Sequence, residues 1–130
     1  MNKLAILGRV LFALPFGIMG LNHFLMTNIF VGMMSSFIPG SAFTVLLTGA
    51  LLIVASISII LNKNLRIVSF GLAGLLFIFI VTIHIPGLFN TDPKFVQTSL
   101  IELLKDTGLM GSAIMIAVFS DTFKIESTKE

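Results

Sequence analysis

Phe43 to Gly87 reads FTVLLTGALLIVASISIILNKNLRIVSFGLAGLLFIFIVTIHIPG. Two apolar runs, 43–61 and 67–85, flank the short polar turn Asn62-Lys63-Asn64-Leu65-Arg66. A hydrocarbon layer of about 30 Å is crossed by about 20 apolar residues in a helix. Each run has that length, and the turn is too short for anything but an antiparallel helix pair. Pro86-Gly87 ends the second run as a breaker.

The flanking sequence extends the pattern. No Asp, Glu, Lys or Arg occurs from Val10 to Leu61 or from Ile67 to Thr91. The first of these stretches is too long for one helix, and Asn28 to Gly40 divides it through Ser35-Ser36 and Pro39-Gly40. The predicted spans are therefore 4–26, 43–61, 67–85 and 96–120. The loop Leu88–Lys94 separates the last two, and the tail Asp121–Glu130 is expected to be polar and frayed. The fold class is all-α integral membrane: a single-domain, four-transmembrane-helix bundle. Residues 4–26 are not read as a cleaved leader, because the run carries Arg9 and Pro15 and lacks an A-x-A-type site.

Composition agrees. The chain has 130 residues, 56 % hydrophobic and 11 % charged, against roughly 25 % charged in soluble domains. Its mean hydropathy is +1.08. That leaves too little polar surface for a water-soluble enzyme. Eight Lys and Arg against six Asp and Glu are scattered, so there is no basic patch for nucleic acid. Cysteine is absent, which excludes thiol chemistry, disulfides and iron–sulfur ligation by this chain. Trp and Tyr are absent too, so the 13 Phe must serve as the interfacial aromatics.

Lys and Arg in short connections orient a bundle. With four spans, Lys3, Arg9, Lys63, Arg66, Lys124 and Lys129 share one side, and only Lys94 and Lys105 lie on the other. Both termini are thus expected in the cytoplasm, and Arg9 is expected to snorkel to the headgroups. Helix packing in lipid relies on small residues. Ala13, Gly17, Gly20, Gly49, Ala50, Ala55, Gly71, Ala73, Gly74, Gly108, Gly111, Ser112 and Ala113 supply them, with Gly108 and Ser112 as a small-xxx-small pair in span four.

Chemistry in such a chain belongs to the polar groups held at membrane depth. His23, with Asn22 beside it, and His84 are each near the outer end of a span. Glu102, Lys105 and Asp106 occupy the outer part of span four, and Glu102 and Asp106 share a face at i,i+4. At 1.5 Å rise per residue these groups lie at similar heights. A shared cluster of His23, His84, Glu102 and Asp106 is the candidate site, with Arg9, Asn22 and Lys105 as further candidates. The bland counterpart is a set of capped or interfacial residues at helix ends. The N and O donors suit zinc, manganese or iron, but no local ligand motif is present and no metal is assigned. Two histidines at one depth also fit a b-type haem formally, yet haem bundles bury their ligands deeper among aromatics, so haem is disfavoured. A quinone needs only an apolar slot and a donor near the headgroups, which His23 or His84 supplies.

These residues carry a resemblance. Gly8-Arg9-Val10-Leu11, Gly17, Gly20 and Asn22-His23-Phe24 look like the first span of the DoxX family of membrane proteins. The Pro39 loop leading into Leu47-Thr48-Gly49-Ala50-Leu51-Leu52 resembles its second. Thr82-Ile83-His84-Ile85-Pro86 and Leu103-Leu104-Lys105-Asp106-Thr107-Gly108, with Gly111, resemble its third and fourth. The resemblance covers about residues 4–120 through the order and spacing of short motifs. It implies a four-span bundle in the bacterial plasma membrane, in which Arg9, His23, His84, Lys105 and Asp106 match recurring polar positions. It also implies the membrane subunit of a quinone-linked oxidoreductase, since some members are the smaller subunit of a thiosulfate:quinone oxidoreductase. The alternative is a non-enzymatic anchor or assembly protein for a protein partner or a second copy. A solute carrier is the weakest reading, because no charge lies at the midplane.

Overall fold

The structure is a computed structural model and describes residues 2–127, with no strand among them. Helix α1 spans Asn2–Leu25, α2 Thr27–Met33, α3 Ala42–Ile60 and α4 Leu65–Phe79. A π turn, Ile80–His84, continues α4 into the single turn α5, Ile85–Gly87. Helix α6 spans Pro93–Val118 and α7 Ser120–Ser127. Among the described residues, three stretches are long and apolar enough to cross a membrane: Lys3–Leu25, Ala42–Ile60 and Leu65–Gly87. The long helix α6 carries Lys94, Glu102, Lys105 and Asp106 and does not meet the same standard.

The predicted spans start and end within a few residues of these helices, with two corrections. The break at Asn28–Gly40 contains α2, which buries no residue. The tail expected to fray is helical over Ser120–Ser127, and 128–130 lie outside the described residues.

The bundle consists of two helix pairs, α1 with α3 and α4 with α6, joined by a lighter α3–α4 contact. In the first pair, small residues set the spacing. A methyl group at Gly20 would lie 2.7 Å from the Gly49 carbonyl oxygen, and one at Gly17 2.7 Å from Ser56 Oγ. Ser56 Oγ donates to the Ala13 carbonyl at 2.8 Å, which fixes the register. The shared core is Ala13, Phe16, Leu52, Ala55, Ile59, Leu65, Leu72 and Leu76. Between the pairs, α3 closes on a Schellman-type turn: Lys63 N–H donates to the Ser58 carbonyl at 2.9 Å and Asn62 N–H to Ile59 at 3.2 Å. Asn62 sits there at φ 56°, a left-handed position that Asn accepts more readily than most residues.

Helix α6 corrects the packing face expected for residues 96–120. Its buried residues are Ser99, Asp106, Ala113 and Ala117, one stripe at spacings of seven and four. Gly108 and Ser112 are exposed. A methyl group at Gly108, Gly111, Gly71 or Gly74 would touch nothing within 4 Å. On the α6 side of this pair, alanine and serine line the seam, and these four glycines face outward.

The N-terminal half of α1, the α3–α4 turn and α7 meet at one end. Arg9 Nη2 donates to the Ile60 carbonyl at 3.5 Å, and its guanidinium carbon lies 5.4 Å from the Phe123 ring centroid. Asn62 Nδ2 donates to the Phe123 carbonyl at 3.3 Å. Arg9 is only 8 % exposed, and its Nε has no partner among the described residues.

Candidate functional site

The opposite end holds the candidate site, and its geometry starts at Pro86. Proline has no N–H and its ring clashes with the carbonyl four residues back, which here belongs to Thr82. The helix answers with a wider turn, in which Ile85 N–H donates to the Ile80 carbonyl. Such π turns shift the register of every side chain that follows. The Thr82 carbonyl is taken instead by the Ser35 hydroxyl, donated from the α2–α3 connection. Thr82 Oγ1 in turn donates to the Ile78 carbonyl at 2.6 Å.

Helix α6 begins cleanly beside this turn. Asp92 is its N-cap, with Oδ1 accepting from Lys94 N–H at 3.0 Å, and Pro93 occupies the first turn. Gly87 and Ser99 are both buried, and a methyl group at Gly87 would overlap Ser99 Oγ and stand 2.9 Å from Ser99 Cβ. Glycine is therefore required for α5 to lie this close to α6. Moving inward by one turn on both helices brings His84 level with Glu102.

His84 Nε2 and Asp106 Oδ2 are 2.8 Å apart, with side chains 13 % and 10 % exposed. An ionised carboxylate can only accept, so the Nε2–H of His84 donates to it. That leaves Nδ1 as the ring nitrogen not engaged with Asp106. Glu102 completes the group. One donor atom each from His84, Glu102 and Asp106 lies within 4.8 Å of the others. Lys105 Nζ donates to Glu102 Oε1 at 2.9 Å on the exposed side. The arrangement can hold a proton on an oriented imidazole, bind a hydrogen-bonding ring at Nδ1, or offer one nitrogen and two oxygens to a cation.

Of the four residues expected together, the structure gathers His84, Glu102 and Asp106, and His23 is not in the group. The reason is the pairing of α1 with α3. His23 is 7 % exposed, and its Nδ1–H donates to the Met19 carbonyl at 2.7 Å. Its ring stacks on Phe30 of α2 at 3.9 Å between centroids and 19° between planes. A methyl group at Gly49 would lie 2.7 Å from His23 Cβ, so glycine opens the place it fills. His23 thus ties α1 to α2 and α3. Asn22 is half-buried beside it. Arg9 lies at the other end, and Lys105 joins the site through Glu102. Sequence reasoning missed Ser35 and Ser99. A signal for Ser35 existed: proline four residues after Thr82 guarantees a carbonyl in need of a donor.

Comparison with models of known families finds no match, and neither a curated protein nor a solved structure matches the chain.

Proposed function

We propose that this chain is a four-span, multi-pass protein of the bacterial plasma membrane, of the DoxX type, and the membrane subunit of a quinone-linked oxidoreductase. The motifs quoted above support the family reading. Support for α6 as the fourth span comes from its charges. It is 26 residues long, about 39 Å at 1.5 Å per residue. Asp106 is paired with His84 and Glu102 with Lys105, and no charge follows from Thr107 to Phe119. Pairing of this kind lowers the cost of holding charges at membrane depth. The excess of Lys and Arg at the end that carries Arg9 and the α3–α4 turn supports cytoplasmic termini.

The observation that carries the activity is the 2.8 Å contact of His84 Nε2 with Asp106 Oδ2. Asp106 holds the imidazole in one tautomer and offsets the charge of the imidazolium. His84 Nδ1 would then serve as the hydrogen-bonding atom for a quinone oxygen. Reduction of a quinone to a quinol consumes two electrons and two protons. The electrons would come from the donor site of a partner subunit, and His84, as the imidazolium, would deliver each of the two protons in turn from Nδ1–H, taking up a new proton from the nearby aqueous surface after each transfer.

The test is photolabelling of the purified protein in lipid nanodiscs with an azidoquinone. Labelling should compete with unmodified quinone, and His84→Ala and Asp106→Asn should each lower it at least tenfold. His23→Ala should leave it unchanged. Equal labelling of all variants, or none of the parent, overturns the quinone reading, and the anchor or assembly role then stands in its place.

A further inference from the structure

We propose that His84, Glu102 and Asp106 bind one divalent transition-metal ion of the zinc class at this end of the bundle. Metal binding needs no quinone and goes beyond the redox reading. It follows from donor chemistry and placement. An imidazole with two carboxylates is a nitrogen–oxygen set that suits zinc, manganese or iron, whereas magnesium and calcium prefer oxygen alone. The donors come from two packed elements, the π turn and α6. The Gly87–Ser99 contact fixes their mutual height.

Distances fit with small movements. Ligands at about 2.1 Å from a tetrahedral ion stand about 3.4 Å apart. His84 Nε2 and Asp106 Oδ2, at 2.8 Å, must open slightly, because the ion takes the place of the proton between them. The imidazole then carries its proton on Nδ1, the nitrogen not engaged with Asp106. Glu102 is the third donor, within 4.8 Å of the other two, and its half-exposed side chain can close the remaining gap. A water completes four-coordination. Charge favours the exchange as well. Two carboxylates neutralise one divalent ion in a low-dielectric setting, and Lys105, with a side chain 51 % exposed, swings to the headgroups.

Lys105 makes the proposal sharp, because it competes with the ion for Glu102. A cluster kept only for packing or solvation needs Lys105, whereas a metal site is improved by its loss. The experiment is titration of the purified, detergent-solubilised protein with Zn2+ against a chromophoric chelator, repeated with Co2+ to read d–d absorption. The expected result is one ion per chain with micromolar affinity or better, and a cobalt spectrum of nitrogen–oxygen ligation. His84→Ala and Asp106→Asn should each weaken binding at least 100-fold and Glu102→Gln at least tenfold. His23→Ala should bind as the parent does, and Lys105→Met should bind severalfold more tightly. Zn2+ held equally well by the His84→Ala and Asp106→Asn variants, no binding by the parent, or weaker binding by Lys105→Met overturns the proposal. Asp106→Asn and Lys105→Met preserve side-chain volume closely, so they decide the matter even if His84→Ala does not fold. Loss of azidoquinone labelling with retained Zn2+ binding separates the two readings.

Discussion

Replacing Gly87 with alanine should loosen the Pro86 end of the α4–α6 pair. The added methyl would overlap Ser99 Oγ, stand 2.9 Å from Ser99 Cβ and 3.3 Å from a Phe95 ring carbon. Rotating the serine hydroxyl away relieves the first contact only. The Cβ contact needs α5 and α6 to separate by about 0.5 Å to reach an ordinary van der Waals distance near 3.4 Å. Overpacking of this kind costs about 1–3 kcal/mol. For a chain of this length that corresponds to a fall in Tm of about 3–5 °C per kcal/mol. His84 and Asp106 lie one to two turns further in, so the 2.8 Å contact should lengthen too. The assay is thermal unfolding in detergent, with partner substitutions at position 99. Ser99→Ala removes the hydroxyl but keeps Cβ, so it should rescue the Gly87→Ala variant only in part. Ser99→Gly removes both and should recover most of the loss, despite the helix cost of glycine of about 1 kcal/mol. A Gly87→Ala protein as stable as the parent, or full rescue by Ser99→Ala, would refute the close-approach argument.

Gly20→Ala sets a methyl 2.7 Å from the Gly49 backbone oxygen, which no rotamer change relieves; Tm should fall by an amount equivalent to about 2 kcal/mol or more, and an unchanged Tm would mean α1 and α3 are not in contact there. Gly108→Leu should leave Tm unchanged, since a methyl at that site meets nothing within 4 Å; a clear drop would show that this face is covered in the membrane. Ser35→Ala should cost about 0.5–1.5 kcal/mol through the Thr82 carbonyl, and the cost should shrink in a Pro86→Ala background, where residue 86 regains an N–H. Reporter fusions after Leu61 and Glu130 should read cytoplasm and one near Asn90 the outside; an external C-terminus would overturn the four-span topology.

How much of this was legible in the sequence depends on what lipid can and cannot discriminate. Helix positions were readable, because charge-free runs such as Ile67–Thr91 and breakers such as Pro86-Gly87 act through length and backbone chemistry alone. Facing was not. In water, an apolar stripe marks the buried side of a helix. In lipid both sides are apolar, so Leu11 and Leu14 are exposed while Leu52 and Leu72 are buried, with nothing in their residue type to tell them apart. Small residues fail for the same reason. Gly17, Gly20 and Gly49 admit close backbone contact, and Gly71, Gly74, Gly108 and Gly111 touch nothing. What does report facing is a group that lipid cannot solvate. Asp106 sits in the stripe of Ser99, Ala113 and Ala117, and its carboxylate must turn toward a donor, which the π turn supplies as His84. The i,i+4 spacing of Glu102 and Asp106 and the shared depth of His84 therefore marked three residues that the structure brings together before any helix was oriented. His23 broke the pattern because its need was met locally: the Met19 carbonyl, one turn back, satisfies its N–H, and Phe30 covers its face. Depth alone does not place a histidine in a shared site. A polar residue at depth points across the bundle only where its own helix and its own loop leave it without a partner, and Asp106, far from any free N–H of α6, is in that position.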